Sequence, residues 1–155
     1  MKVFVLTLAL LLACTLTVSQ QKRSHLGGRN NKADRQAKVT LDIFSGRKNP
    51  TWSLTEEQTG NLLVIVKGLP AADPCDFFDG LGYRGFQVNM TSPVAGKRSA
   101  ITVYRGRVRY DDGRQVKYLT DKDRRIEQLL LKYGSPHLTP GLYKTVEREV
   151  RPTAE

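Results

Sequence analysis

The chain has 155 residues, 39% of them hydrophobic and 26% charged, with 25 Lys and Arg against 15 Asp and Glu and a formal charge of +10. That is one domain's worth of chain with room for tails, and its apolar fraction suits a folded protein. The same figures exclude a multi-domain enzyme, a polytopic membrane protein and an acidic, calcium-sponge type of chain.

The N-terminus reads as an export signal. Lys2 supplies a positive start and residues 3–13 form an apolar run of the length of a signal core. The run is too short for a bilayer span, which needs roughly 20 residues. Thr17 and Ser19 suit the small positions before a cleavage site, so residues 1–19 are expected to leave as a signal peptide. Leu11-Leu12-Ala13-Cys14 approximates a lipobox, but the apolar stretch continues past Cys14. A secreted, extracellular product with no membrane span is the expectation. Its charge would fall by one unit, through Lys2, and Cys14 would go. Cys75 would then be the remaining cysteine, excluding an internal disulfide and suggesting either an intermolecular bridge to a second copy or an inert thiol.

Residues 20–38 form a basic arm with Lys22, Arg23, Arg29, Lys32, Arg35 and Lys38 among glycines and asparagines. Leu26 is its one large aliphatic residue, so the arm is expected to be disordered. Residues 39–44 alternate apolar and polar, as a half-buried strand does. Ser53 with Glu56 has the capping-box spacing, and Thr55 is a second cap candidate. A helix to Lys67 follows, with Gly68 and Pro70 as its stop. Residues 71–82 read as a loop. Residues 83–90 and 99–104 read as strands. Residues 107–110 and 115–119 flank Asp111-Asp112-Gly113, a turn signal between two strands. Asp121 opens a last helix to Tyr133, where Ile126, Leu129, Leu130 and Tyr133 recur at helical spacing and Gly134 suits the residue after its end. Residues 135–155 are rich in proline and charge and read as a loosely ordered tail. The expected class is α+β over residues 39–134: a mostly antiparallel sheet of about four to five strands with two helices, in the order β-α-β-β-β-α.

Arg105, Arg107 and Arg109 alternate, and side chains two apart on a strand share a face. Arg84, Arg114 and Lys117 are placed to join them. With the arm they make the electrostatic footprint of a polyanion binder, or else the solvated face of a basic protein. Tyr104 and Tyr110 are expected to point the other way, into the core. No aromatic pair has the spacing of a nucleic-acid stacking platform, and export argues against nucleic acid. Acidic glycans, acidic matrix proteins or mineral-surface anions fit better.

Other signals are weaker. Asn89-Met90-Thr91 is an N-glycosylation sequon. Asp73, Asp76 and Asp79 lack the spacing of a calcium loop. His25 and His137 are the two histidines; neither a zinc site nor a cofactor is expected, and no catalytic residue stands out. A Cys75–His137 nucleophile pair and a Ser-His-Asp hydrolase have no local signature. Lys22-Arg23 and Gly96-Lys97-Arg98 resemble prohormone cleavage signals, but the second lies between two strand candidates of one domain.

Two further runs carry a family resemblance. Phe44-Ser45-Gly46-Arg47-Lys48-Asn49-Pro50-Thr51-Trp52 and Leu81-Gly82-Tyr83-Arg84-Gly85-Phe86 resemble the paired F-S-G-R-x-N-P-x-W and L-G-Y-R-G-F motifs of a small secreted domain of unknown function. Residues 125–130 are similar to that domain's closing helix, so the resemblance covers roughly residues 39–133. Its members resemble exported bacterial proteins and secreted proteins of calcifying invertebrates, some from the organic matrix of shell or skeleton. The resemblance implies a secreted, non-enzymatic basic protein of an extracellular matrix, active in biomineralisation. Physically, Arg47, Asn49 and Trp52 are expected in the strand-to-helix connection. Two readings stay open. Trp52 and Phe86 plug the core while Arg47 or Arg84 hydrogen-bonds the loop; or Arg47, Asn49, Trp52, Tyr83 and Arg84 build a shared anion or ligand pocket. The second makes the protein an exported ligand-binding domain or enzyme. A host-defence effector is a third class, though the cysteine framework and the amphipathic cationic helix expected of one are missing.

Overall fold

The structure is a computed structural model, and it describes residues 36–77, 80–92 and 97–152. The expected signal peptide and all but the last three residues of the expected arm lie outside those residues, as do Asp79 and Gly96.

Six strands form one antiparallel sheet: β1 (Gln36–Asp42), β2 (Thr51–Leu54), β3 (Gly85–Ser92), β4 (Lys97–Tyr104), β5 (Arg107–Asp111) and β6 (Val116–Thr120). Their order across it is β2-β1-β3-β4-β5-β6. Alternation gives each strand one apolar face. Val39, Leu41, Phe86, Val88, Ile101, Val103 and Val108 are fully buried on one side. The register aligns them across strands, with Val39 opposite Val88, Val88 opposite Ile101 and Val103 opposite Val108. The helices α1 (Glu56–Lys67) and α2 (Arg125–Gly134) cover that side, and α3 (Pro140–Glu149) packs against α2. The other side of the sheet carries the residues out of phase with the core, among them Lys38, Gln87, Asn89, Arg98 and Arg107, all exposed. Among the described residues no helix is long and apolar enough to cross a membrane.

The α+β class and the open antiparallel sheet are as the pattern predicts; the details differ. The sheet has six strands and there are three helices. Thr51–Leu54, expected as a connection, is a strand paired with β1, and it buries Trp52 and Leu54. A four-residue strand offers too short an alternation to be distinctive. Strand β1 begins at Gln36, inside the expected arm, because its pairing with β3 extends back to Thr91.

Thr55, not Ser53, caps α1. Its side chain accepts from Gln58 N, and the Gln58 side chain accepts from Thr55 N. Helix α2 starts at Arg125, four residues after Asp121. Asp121 still satisfies its start: the buried Oδ2 accepts from Ile126 N at 2.8 Å.

The largest departure is the C-terminus. Residues 135–152 are not a loose tail: a 3-10 turn (Ser135–His137) leads into α3, capped by Thr139. Val146 and Val150 are buried in the common core. Arg124 Nη1 donates to Glu149 O at 2.5 Å, tying the start of α2 to the end of α3. The signal was present in the sequence. Leu138, Leu142, Val146 and Val150 recur every four residues, a helical stripe beneath the prolines and charges.

Gly134 is not a left-handed stop; it is the last residue of α2. A Cβ there would sit 2.5 Å from Cζ2 and 2.7 Å from Cη2 of the Trp52 indole. The helix needs glycine so that β2's tryptophan can pack beneath it. Gly134→Ala is therefore expected to destabilise the fold by about 1–3 kcal/mol through overpacking, although alanine is the better helix former. Urea denaturation checks this; a more stable variant would show that the indole yields freely.

Candidate functional site

Strands β4 and β5 meet in a two-residue turn. Tyr104 pairs with Arg107, and between them Arg105 and Gly106 have φ of 48° and 74°. Positive φ at both central residues is the type I′ pattern that matches strand twist. The turn aims two backbone N–H groups at α2. Arg105 N donates to Glu127 Oε1 at 3.1 Å and Gly106 N to Oε2 at 2.9 Å. Tyr83 Oη donates to the same Oε1 at 2.6 Å. Glu127 is fully buried, so these donors replace the water it would otherwise bind. Burial above all, and then the Glu127 carboxylate, push the Tyr83 hydroxyl far above its ordinary range.

Tyr83 and Arg105 also line a cleft of about 860 Å³. Tyr104 joins Tyr83 there, their ring centroids 6.0 Å apart. Arg105 carries its guanidinium 5.2 Å from the Tyr104 centroid and 3.7 Å from Glu149 Oε2. Arg107 completes the wall, exposed, and pairs with no acid among the described residues. Asp76, Phe77 and the exposed Leu81 form the rim. Asp76 and Glu149 line the cleft together with Arg105 and Arg107, so its charge is mixed.

The expected basic row is rearranged. Arg107 and Arg109 do share a face of β5, the one away from Val108. Arg105 is a turn residue, outside the alternation of the strand, yet it lines the same cleft as Arg107. Lys117 pairs with Tyr110 and so falls on the other face. Arg114 is exposed in the β5–β6 turn, which Asp112 holds by accepting from Arg114 N and Gln115 N. Those two bonds lower the Asp112 carboxyl below its ordinary range. Tyr110 lies on the core side, partly buried, and Tyr104, at the end of β4 beside the turn, is itself buried with the core, packed against Tyr83.

The residues of the two motif runs divide among three environments. Arg84 and Asn49 meet at Asp42. Arg84 Nη2 reaches Asp42 Oδ1 at 2.5 Å and Asn49 Nδ2 reaches it at 2.9 Å. Trp52 is buried against Phe86, centroids 6.2 Å apart. Arg47 stays exposed with its guanidinium 3.5 Å over the Phe44 ring. Tyr83 turns toward Glu127. Thus Tyr83 lines one cleft and Arg47 another, while Asn49, Trp52 and Arg84 hold the frame.

Sequence reasoning missed Asp42 and Glu127. Asp42 reads as the polar partner in an alternating strand. Glu127 lies three and four residues before Leu130 and Leu131, inside the apolar stripe of its helix, and that misplacement is the signal that could have found it. Asn89 is exposed on the open sheet face, opposite Lys38 and Ala100. Cys75 is a partly exposed free thiol. His137 stacks on Trp52. No group of metal-ligating side chains is found among the described residues. No family model matches the chain, and no curated protein and no solved structure is significantly similar to it.

Two substitutions test the buried carboxyl. Glu127→Ala strands three donors and is expected to cost about 3–5 kcal/mol, whereas Tyr83→Phe removes one bond and costs about 1–2 kcal/mol. Below pH about 10 the Tyr83 hydroxyl is protonated in both folded and unfolded chains; above it only the unfolded chain ionises. Stability should therefore fall as pH rises past about 10, and fall less steeply in Tyr83→Phe. Urea midpoints across pH 8–11 decide this, and identical slopes would remove the Tyr83 contribution.

Proposed function

We propose that the chain is a secreted, non-enzymatic basic protein of an extracellular matrix, of the kind laid down as the organic matrix of a shell or skeleton. It holds acidic glycans or acidic matrix proteins on the face of the sheet that no helix covers. One observation carries the reading. Lys38, Arg98, Arg107 and Arg109 stand on that face among short polar side chains, and Arg107 continues into the aromatic cleft of Tyr83 and Tyr104. Cations spread over one open sheet face are matched to a repeating anionic polymer, because each contact is weak and exposed and many act together.

Arg109 is partly engaged, 3.8 Å from Asp111 Oδ2, so Arg107 is the stronger anchor. The net positive charge of the chain draws acidic polymers from a distance, and salt weakens that attraction.

Retention on immobilised heparin should fall as salt rises. Arg107→Ala is expected to weaken affinity about 3-fold, and Arg107→Ala with Arg109→Ala on the order of 5–10-fold, at exposed-pair energies. Lys117→Ala, on the other face, should change little. Salt-insensitive retention, or a double variant that elutes with the parent chain, would sink the proposal.

A further inference from the structure

The loop that joins β1 to β2 is held from several sides. Asn49 Oδ1 accepts from Ile43 N at 3.1 Å and from Phe44 N at 2.8 Å. Leu41 N donates to Pro50 O at 3.0 Å. Arg84 reaches in from the start of β3, donating to Phe44 O at 3.0 Å and to Ser45 Oγ at 3.4 Å. Gly46, with φ of 82°, makes the turn that L side chains disfavour. Backbone on both sides of Arg47 and Lys48 is thereby fixed.

Those two side chains are exposed, and neither is paired with an acid among the described residues. Phe44 covers one face of the Arg47 guanidinium at 3.5 Å. A stacked guanidinium keeps its N–H donors in its plane, free for a planar or tetrahedral oxyanion. Opposite stands the C-terminal segment: His137, stacked on Trp52 with an interplanar angle of 4°, then Leu138 and Leu142. Between them lies a cleft of about 460 Å³. Arg47 and Lys48 stand on one wall beside Phe44 and Pro50, Leu138 and Leu142 on the other, and no acidic residue among the described residues lines it. The cleft beside Tyr83 differs, since Asp76 and Glu149 line it.

We propose that this second cleft binds an organic oxyanion: a small molecule or chain end bearing a carboxylate or sulfate. Arg47 and Lys48 take the charged group, and the apolar body lies against Pro50, Leu138 and Leu142. The anchored loop makes the site preorganised, so little ordering cost falls on binding. This site is separate from the open sheet face and does not depend on the polymer reading.

Benzoate, benzamide and inorganic sulfate separate the terms. In a backbone-amide NMR titration of the chain, benzoate is expected to give saturable shifts confined to residues 43–50 and 137–142. Benzamide, which lacks the charge, and sulfate, which lacks the apolar body, should bind at least 10-fold more weakly. Arg47→Ala with Lys48→Ala should abolish saturation, and Arg47→Lys should weaken it several-fold by losing the planar fork. Lys117→Ala should titrate like the parent chain. A polymer source would show as heparin fragments competing with benzoate; a small-molecule source as benzoate binding that heparin leaves untouched. Sulfate equal to benzoate, shifts spread over the whole basic surface, or an unaffected Arg47→Ala/Lys48→Ala chain would each overturn the site.

Discussion

Burying a carboxyl group obliges the rest of a fold to supply donors, and Glu127 sets that obligation here. It is fully buried on α2, and its two oxygens receive Tyr83 Oη and the amides of Arg105 and Gly106. Leaving any of these unmet costs on the order of 1–3 kcal/mol. Three segments far apart in the chain are thus held in one arrangement. The β4–β5 turn must take the conformation that presents its amides. Tyr83 must lie across the end of the sheet. Helix α2 must keep one rotation about its axis. The aromatic cleft is a consequence: Tyr83 and Arg105 stand where they do because Glu127 fixes them, and Tyr104 and Arg107 flank that turn.

A second polar knot works at the start of β1's loop. Asp42 accepts from both Asn49 and Arg84, so a residue of neither motif run joins the two. Most of those runs serve rigidity. Gly85 has φ of 97°, and a side chain there would strike the Val103 carbonyl. Trp52 and Phe86 fill the core. Arg47 and Lys48 remain, exposed on a frame that the others build. Partly buried hydrogen bonds to charged groups are stronger than neutral ones, and they give this loop its definition.

The two faces of the sheet divide the labour. One is apolar and roofed by α1 and α2; the other is polar and open. A single covered face is enough to make an antiparallel sheet stable. It leaves the opposite face free to be chosen for its chemistry, and here Thr, Asn and Gln stand among arginines and Lys38, with Asp111, Tyr118 and the exposed Val116 at the β5–β6 side. Charge on such a face acts over about a Debye length, so its effect is collective and salt-dependent.

By itself the sequence determined the α+β class, the apolar phase of most strands, the stop of α1 and the β5–β6 turn. Each is local: it depends on residues within a turn or a strand pair, where alternation, helical spacing and turn chemistry act without distant partners. It also marked Arg107 and Arg109 as sharing one side of a strand. Local pattern could mark Glu127 as out of place in an apolar stripe, but tertiary structure alone decided the partners of Glu127, Asp42 and Arg84, since bonds between residues 42 and 84 or 83 and 127 join distant segments. It turned Thr51–Leu54 into a strand through pairing with β1, and it gave the helical stripe of the C-terminal segment its place in the core through Val146 and Val150. It also moved Arg105 off its strand and Lys117 to the far face, because a turn conformation and a pairing register belong to two strands at once. The cleft of Arg47 and Lys48 has its second wall in the C-terminal segment, some 90 residues later, and exists only once the chain has closed on itself.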